Sequence, residues 1–146
     1  MTRDLAAILI CSAGIGVLAL GCAVQGRPFE KVPPTPAHAV IYVYRPYTYG
    51  SSALRPDVTC AEDSVRIGPG GYHAFVVPAG QKVACSMHTD NADEVEIRTD
   101  ARVYYIREEL GWGVLTGEPH LNPVDNDKAQ TEIQSCVDES QTGGAN

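Results

Sequence analysis

The hydrophobic residues of this chain follow a strand-like period over most of its length. Residues 40–45 are β-branched and aromatic on both faces, which is typical of a central strand that is buried on both sides. In residues 81–89, Val83, Cys85 and Met87 alternate with polar residues, as in a strand with one buried face. These patterns predict a protein built mainly of β-strands.

Shorter apolar runs alternate with turn-forming residues, at positions 56–60, 64–68, 72–77, 94–98, 102–107 and 111–116. The runs 94–98 and 102–107 are close enough in sequence to predict a hairpin across a turn at residues 99–101. About seven or eight short strands with frequent turns favour a small antiparallel β-sandwich.

The period becomes helical near the C-terminus. Apolar residues recur at helical spacing at Ala129, Ile133, Cys136 and Val137. Asp125 to Asp127 supply candidates for the N-cap and negative charge for the first turn. We therefore predict a short helix over residues 126–137, a sandwich domain over residues 38–138, and a disordered tail over residues 139–146.

The first 22 residues have the organisation of a bacterial lipoprotein signal. Arg3 precedes an almost wholly apolar run, and Gly21 places a small residue directly before Cys22. We predict removal of residues 1–21 and acylation of Cys22, with several acyl chains because a single chain anchors only marginally. The alternative is a permanent transmembrane helix, but the run lies near the lower length limit of about 17 residues.

A tether is predicted between the lipid site and the domain, over residues 22–37. Its four prolines favour extended polyproline geometry. At about 3.1 Å per residue the tether reaches roughly 45 Å, enough to hold the domain off the membrane. Ala23 follows Cys22 where the enteric retention signal has Asp, which favours the periplasmic face of the outer membrane while leaving the inner membrane open.

Charge limits the partners of this chain. The net charge is −7, and removing residues 1–21 takes away one Arg and one Asp and leaves it unchanged. An acidic protein is repelled by nucleic acid and by anionic lipid. We therefore expect no nucleic-acid partner, membrane contact through the N-terminal acyl chains, and an envelope protein as the other candidate partner.

Three cysteines remain outside the signal and the lipid site: Cys60, Cys85 and Cys136. Export implies an oxidising compartment, so one disulfide and one thiol are expected. Cys60 and Cys85 each share the apolar face of a predicted strand, and a bond between them closes a loop of about 25 residues, which stabilises by roughly 3 kcal/mol. Pairing of Cys85 with Cys136, or fully reduced thiols, is the alternative.

The sequence contains no pattern that indicates catalysis, a cofactor or a metal. No G-x-S-x-G motif is present, and the Gly-rich loop at residues 68–71 lacks the Lys-Ser/Thr pair of a phosphate loop. The neighbouring carboxylates Glu108 and Glu109 are expected to be solvated on opposite faces of a strand. His73 and His88 lie in strands, and we expect each to be solvated or hydrogen-bonded.

Tyr47 and Tyr49 are the candidate interaction residues. They lie in a loop after Pro46 and before Gly50, where the sequence does not force burial. The other tyrosines lie mostly in predicted strands and are expected in the core. Local packing of Tyr47 and Tyr49 is the alternative to a partner-binding or glycan-stacking role.

Three motifs carry a resemblance to a known family: an A-x-V-Y-V-Y-R-P-like strand at residues 39–46, Gly-Gly-Tyr at residues 70–72, and Pro-Ala-Gly at residues 78–80. With its lipobox and tether, the chain resembles a bacterial envelope lipoprotein family of unknown function over residues 38–137. The resemblance implies a prealbumin-like or carboxypeptidase-regulatory-like β-sandwich that serves as a structural or binding module. It supplies no catalytic residues.

Together these features predict a lipid-anchored lipoprotein of the bacterial cell envelope with a structural or protein-interaction role and no catalysis. The alternative is a periplasmic β-sandwich module that binds a glycan or another small ligand.

Overall fold

The structure is a computed structural model that describes residues 26–48, 53–111 and 117–139. Within these ranges the chain forms ten strands and one helix: β1 Arg27–Pro28, β2 His38–Tyr44, β3 Asp57–Cys60, β4 Asp63–Arg66, β5 Gly71–Pro78, β6 Lys82–His88, β7 Ala92–Arg98, β8 Val103–Leu110, β9 Pro119–Pro123, α1 Asn126–Ile133 and β10 Val137–Asp138. No helix among these elements is long and apolar enough to cross a membrane.

The strands form a β-sandwich of two sheets, which confirms the predicted fold class. The first sheet has six strands in the order β1-β10-β5-β2-β8-β9, and the second has four in the order β4-β3-β6-β7. Most neighbours are antiparallel, but β2 is parallel to β8, and β10 is parallel to β5. These two parallel pairs require long connections, which the sequence pattern did not indicate.

β2 is the central strand, as its sequence predicts. Alternate residues Ala39, Ile41 and Val43 point into the core between the sheets, where they meet apolar residues of β3, β5, β6 and β8. The intervening residues, which include Tyr42 and Tyr44, pack on the outer face of the first sheet. Both faces of β2 are therefore buried, because the second sheet covers one and a further layer covers the other.

The outer layer is built from α1 and from residues 27–32, which we call the N-terminal strap. Ala129 and Ile133 of α1 are buried on this face. The Phe29 ring lies 5.3 Å from the Tyr42 ring and 5.2 Å from the Tyr72 ring. The strap therefore belongs to the folded unit, although the sequence predicts a tether over these residues.

The predicted hairpin between residues 94–98 and 102–107 is wrong. β7 pairs with β6 in the second sheet, whereas β8 lies between β2 and β9 in the first. The chain crosses between the sheets at Thr99, whose buried hydroxyl bonds the carbonyl oxygens of Pro78 at 2.8 Å and Gln81 at 2.9 Å. Residue alternation does not distinguish a hairpin from a crossing of this kind, since both present one apolar face.

The C-terminal helix is shorter than predicted. It ends at Ile133, and Val137–Asp138 forms β10, in which the Val137 N–H donates to the Gly70 carbonyl at 2.9 Å. Ile133 and Cys136 are both buried on the outer face, so a turn followed by a strand satisfies the same apolar spacing as a longer helix. Asp125 occupies the N-cap position without a side-chain capping bond.

Several predicted segments begin or end at, or lie beyond, the limits of the described residues. Glu139 is fully buried and belongs to the folded unit, so the predicted tail boundary at residue 139 is wrong. Of the last predicted strand, Gly111 lies outside the strands and residues 112–116 lie outside the described residues, while β9 begins at Pro119. Residues 1–21, Cys22, Tyr49 and residues 140–146 also lie outside the described residues.

The second sheet carries the predicted disulfide. Cys60 of β3 and Cys85 of β6 lie directly opposite each other in the antiparallel register, and their sulfurs are bonded. Both side chains are buried on the inner face of the sheet. Cys136 is a free, buried thiol, so the alternative pairing with Cys85 does not occur.

Candidate functional site

One end of the sandwich, which we call the loop end, brings together the end of β2 and the starts of β3 and β5. Arg45 follows β2 directly and continues the inward-facing positions of that strand. Its side chain is almost fully buried, and Nη1 donates to the Leu54 carbonyl oxygen at 2.8 Å. This bond links the two ends of the segment that contains Tyr47.

Glu108 lies beside Arg45 at the end of the inter-sheet core. It occupies the inner face of β8, on which Ile106 is also buried, and only 1% of the residue is exposed. Its Oε1 lies 3.4 Å from Arg45 Nη1, while Oε2 is buried without a hydrogen-bond partner among the described residues. The expectation of solvated carboxylates is therefore wrong for Glu108, although Glu109 is exposed.

Burial decides the ionisation of this pair. Removal from water raises the pKa of Glu108 to about 8, against the opposing effect of the neighbouring Arg45 charge. Burial likewise lowers the pKa of Arg45, and the Glu108 charge opposes that change. Burying either side chain in its charged form thus costs free energy, and the opposite charge of the partner reduces that cost.

Glu139 contributes a second buried carboxylate to the loop end. It accepts hydrogen bonds from the Gly68 N–H and from Arg55 Nη2. Burial raises the pKa of Glu139, and the bonds from Gly68 and Arg55 act in the opposite direction. Gly71 has no room for a side chain, because a Cβ there would overlap the Glu139 carboxylate.

The backbone completes this frame. The Gly70 N–H donates to the Arg45 carbonyl at 2.7 Å, and the Arg45 N–H donates to the Gly71 carbonyl at 2.9 Å. Gly70 has a φ of +82°, a left-handed conformation that a residue with a side chain adopts only at a cost. Buried ionic groups and backbone bonds therefore hold the base of the Tyr47 segment against the Gly-rich loop.

Tyr47 projects from this frame. Its residue is 66% exposed, and Leu54, at the other side of the same segment, is 41% exposed. The structure therefore places Tyr47 on the surface rather than in the core. In contrast, Tyr42, Tyr44, Tyr72 and Tyr105 are buried in the outer layer, as their strand positions predict.

A cleft of about 210 Å³ lies beside Leu54 at the loop end. Its lining residues are Leu54, Arg55, Pro56, Asp57, Arg66, His88, Thr89 and Asp90. Arg66 and Asp57 form a salt bridge across 2.9 Å, so these two charges are already matched. None of the lining residues offers a Tyr or Trp ring on which a sugar could stack.

A second cleft, of about 380 Å³, includes Tyr104 and Tyr105 and lies near the start of α1. The Arg102 guanidinium covers the Tyr104 ring at 4.8 Å, and the Tyr105 ring stacks on Tyr42 with centroids 5.4 Å apart. Both rings therefore already have a stacking partner on one face. This arrangement is a poor platform for an aromatic or sugar ligand.

The histidines do not form a site. His73 lies in β5 of the first sheet and His88 in β6 of the second, and His73 Nε2 lies 3.1 Å from the Asp63 carboxylate. No group of three or more His, Cys, Asp or Glu residues suited to a metal ion exists among the residues that the structure describes.

The fold and site thus define a small, disulfide-linked β-sandwich whose buried ionic cluster lies beneath the exposed residues Tyr47 and Leu54. Comparison of the chain with protein-family models finds no match, and neither does comparison with curated proteins.

Proposed function

We propose that this chain is a lipid-anchored lipoprotein of the bacterial cell envelope with a structural or protein-interaction role. In this proposal Cys22 carries the anchor, and the exposed segment around Tyr47 binds an envelope protein. The observation that carries the interaction role is an exposed tyrosine on a segment whose base is fixed by buried groups. Such a residue contributes a large contact area while losing little rotamer freedom.

The compartment is supported by the cysteines as well as by the signal pattern. The bond between Cys60 and Cys85 suits an oxidising environment, and disulfides are rare in the reducing cytosol. The signal with Gly21 before Cys22 supplies the export route and the acylation site.

A protein partner is favoured over a small ligand by the surroundings of Tyr47. Tyr47 and Leu54 present exposed apolar area, whereas the two clefts described above offer no open aromatic wall. Hot spots of protein interfaces are enriched in Tyr, and their neighbours need only exclude water. Glycan or small-ligand binding therefore remains the second candidate, which the experiment on Tyr47 also tests.

Changing Cys22 to Ser should abolish acylation in the producing bacterium. The sulfur of Cys22 is the atom to which the lipid is attached, and the hydroxyl of Ser does not replace it in this processing. Labelling with a clickable fatty acid and intact mass measurement follow the modification. The matched control is Cys136→Ser, which removes a buried thiol and should leave the label in place. Fatty-acid labelling that persists in the Cys22 variant contradicts the anchor assignment.

Replacing Tyr47 and Tyr49 together with Ser should weaken partner capture while leaving the fold intact. Tyr47 is exposed, and the sequence predicts the same of Tyr49; exposed side chains contribute little to folding, so the free energy of unfolding should change by no more than about 0.5 kcal/mol. Capture is measured by crosslinking in intact cells, followed by identification of the bound protein.

The control for this double variant is Val76→Ser, which removes exposed apolar area from β5, away from the loop end. It should leave capture unchanged. Loss of several degrees in the thermal midpoint of the tyrosine variant means that these rings pack in the fold and that the site assignment is wrong. Unchanged protein capture, with loss of binding to a panel of soluble glycans, favours the second candidate instead.

A further inference from the structure

We propose that the sandwich edge formed by β1 and β10 faces the lipid headgroups at close range, held there by the N-terminal strap. This inference rests on the lipid anchor at Cys22 proposed above. It replaces the expected long tether with a short connection, and it assigns a membrane-facing side to the domain.

The number of residues between the anchor and the fold sets the distance. Arg27 pairs with Asp138 in the β1–β10 ladder, and five peptide steps separate it from Cys22. Even a fully extended chain spans at most about 3.6 Å per residue, so Arg27 lies within roughly 18 Å of the acylated residue. This bound holds for any conformation of the intervening residues.

Contacts along the strap keep it on the domain. Beyond its ring contacts, the Tyr72 hydroxyl accepts a hydrogen bond from the Glu30 N–H at 3.2 Å. The Tyr42 hydroxyl accepts one from the Val32 N–H at 2.6 Å. These two hydroxyls belong to the outer aromatic layer, so the strap fills positions that an unattached tether would leave open to water.

Charge favours the same orientation. On a chain whose total charge is −7, Asp138 of β10 offsets the net +1 of the strap residues Arg27, Lys31 and Glu30, so this edge with its strap is neutral. All three strap residues are exposed. A negatively charged lipid surface repels the acidic remainder of the domain more than this neutral side, which turns the strap towards the lipid.

The sandwich is wide enough for its two lateral edges to lie at different distances from the bilayer surface. Five strand spacings of about 4.8 Å separate β1 from β9, or roughly 24 Å. β4 of the second sheet lies on the β5 side, where Asp63 contacts His73. β7 lies against β9 on the far side. Ser64 of β4 therefore marks the near edge, and His120 of β9 marks the far edge.

Energy transfer to the bilayer tests this arrangement. A fluorescent amino acid replaces either Ser64 or His120 in the full, lipidated protein, which is reconstituted into vesicles of phosphatidylethanolamine and phosphatidylglycerol that carry an acceptor on the headgroups. Both residues are exposed, so neither replacement disturbs the core. Transfer efficiency from position 64 should be several-fold higher than from position 120.

Two variants release the domain from the membrane. Phe29→Ala removes the ring that holds the strap, and a long Gly-Ser insertion between Ala23 and Val24 lengthens the connection without touching the fold. Each should lower transfer from position 64 and remove the difference between the two positions. Val76→Ala, which shortens an exposed side chain of β5 outside the strap, should preserve the difference.

The outcomes separate the two proposals. Equal transfer from both positions, in protein whose mass shows the acyl chains, overturns the membrane-facing edge and leaves the lipoprotein proposal standing. Absence of the acyl mass overturns both. If Phe29→Ala fails to fold, the Gly-Ser insertion alone decides: an unchanged difference between the positions contradicts the short connection.

Discussion

Replacing Arg45 with Met should destabilise the folded protein by about 3–5 kcal/mol above pH 8, where Glu108 is ionised in the unmodified protein, because the change leaves one member of a buried ion pair without its partner. Arg45 is the cation beside the buried Glu108, and it also bonds the Leu54 carbonyl. Met fills a similar volume but supplies neither a charge nor a donor. Chemical denaturation at fixed pH measures the loss.

The pH dependence of this loss identifies its cause. Burial already raises the pKa of Glu108 from 4.5 to about 8, and removal of the Arg45 charge raises it further. Below its ordinary pKa the carboxyl is protonated in both folded and unfolded protein, so the stability deficit should shrink on acidification. Between pH 4.5 and 8 both folded proteins hold the Glu108 proton, so both lose stability equally. The deficit should grow as the pH rises above about 8, where Glu108 ionises beside Arg45 in the unmodified protein but stays protonated in the variant.

Combining Arg45→Met with Glu108→Gln provides the control. Gln keeps the shape of Glu but carries no charge, so the double variant should recover part of the stability and lose most of the added pH dependence. Glu139, a second buried carboxylate, is unchanged in both variants. The difference between the single and the double variant therefore reports on Glu108. A deficit that is equal at low and high pH shows that packing, rather than charge, accounts for the loss.

Removing the disulfide has the second large expected effect. Cys60→Ala with Cys85→Ala should lower the free energy of unfolding by about 3 kcal/mol, because the unfolded chain regains the freedom of a 25-residue loop. Thermal and chemical unfolding, each with and without a reductant, measure the change. The reductant should lower the stability of the unmodified protein and leave the double variant unaffected. An unmodified protein whose stability does not respond to reduction contradicts this expectation.

The local residue pattern was sufficient to predict strands whose burial follows from their own apolar residues. In β2, continuous apolar character indicates burial on both faces, and the strand lies in the middle of the larger sheet. In β6, strict alternation indicates one buried face, and Cys85 lies on that face. These predictions succeed because each depends only on which side of one strand is apolar.

Pairing between elements was not predictable in the same way. β7 and β8 have the residue pattern of a hairpin, but they belong to different sheets. The strap has little apolar periodicity, and its attachment depends on Phe29 meeting two tyrosines that are distant in sequence. Contacts of this kind depend on tertiary structure, which no local period encodes.

The candidate site was only partly visible in the sequence. The exposure of Tyr47 follows from its position between turn-forming residues. Arg45 and Glu108 had a signal that alternation could have revealed, because each continues the inward-facing positions of its strand. Glu139 had no such signal, since it follows a two-residue strand near the end of the chain.

The parallel pairing of β2 with β8 has a consequence for the kinetics of folding. Among the described residues, β2 is the first long strand to leave the ribosome. It is flanked by β5 and β8, and β8 begins about 60 residues later. Closing such long loops costs chain entropy before the stabilising contacts form. Folding is therefore slower than in proteins with mainly local contacts. The six-stranded sheet therefore forms only when nearly the whole chain is present, which, under the export proposed above, leaves the chain unfolded for longer before it crosses the membrane.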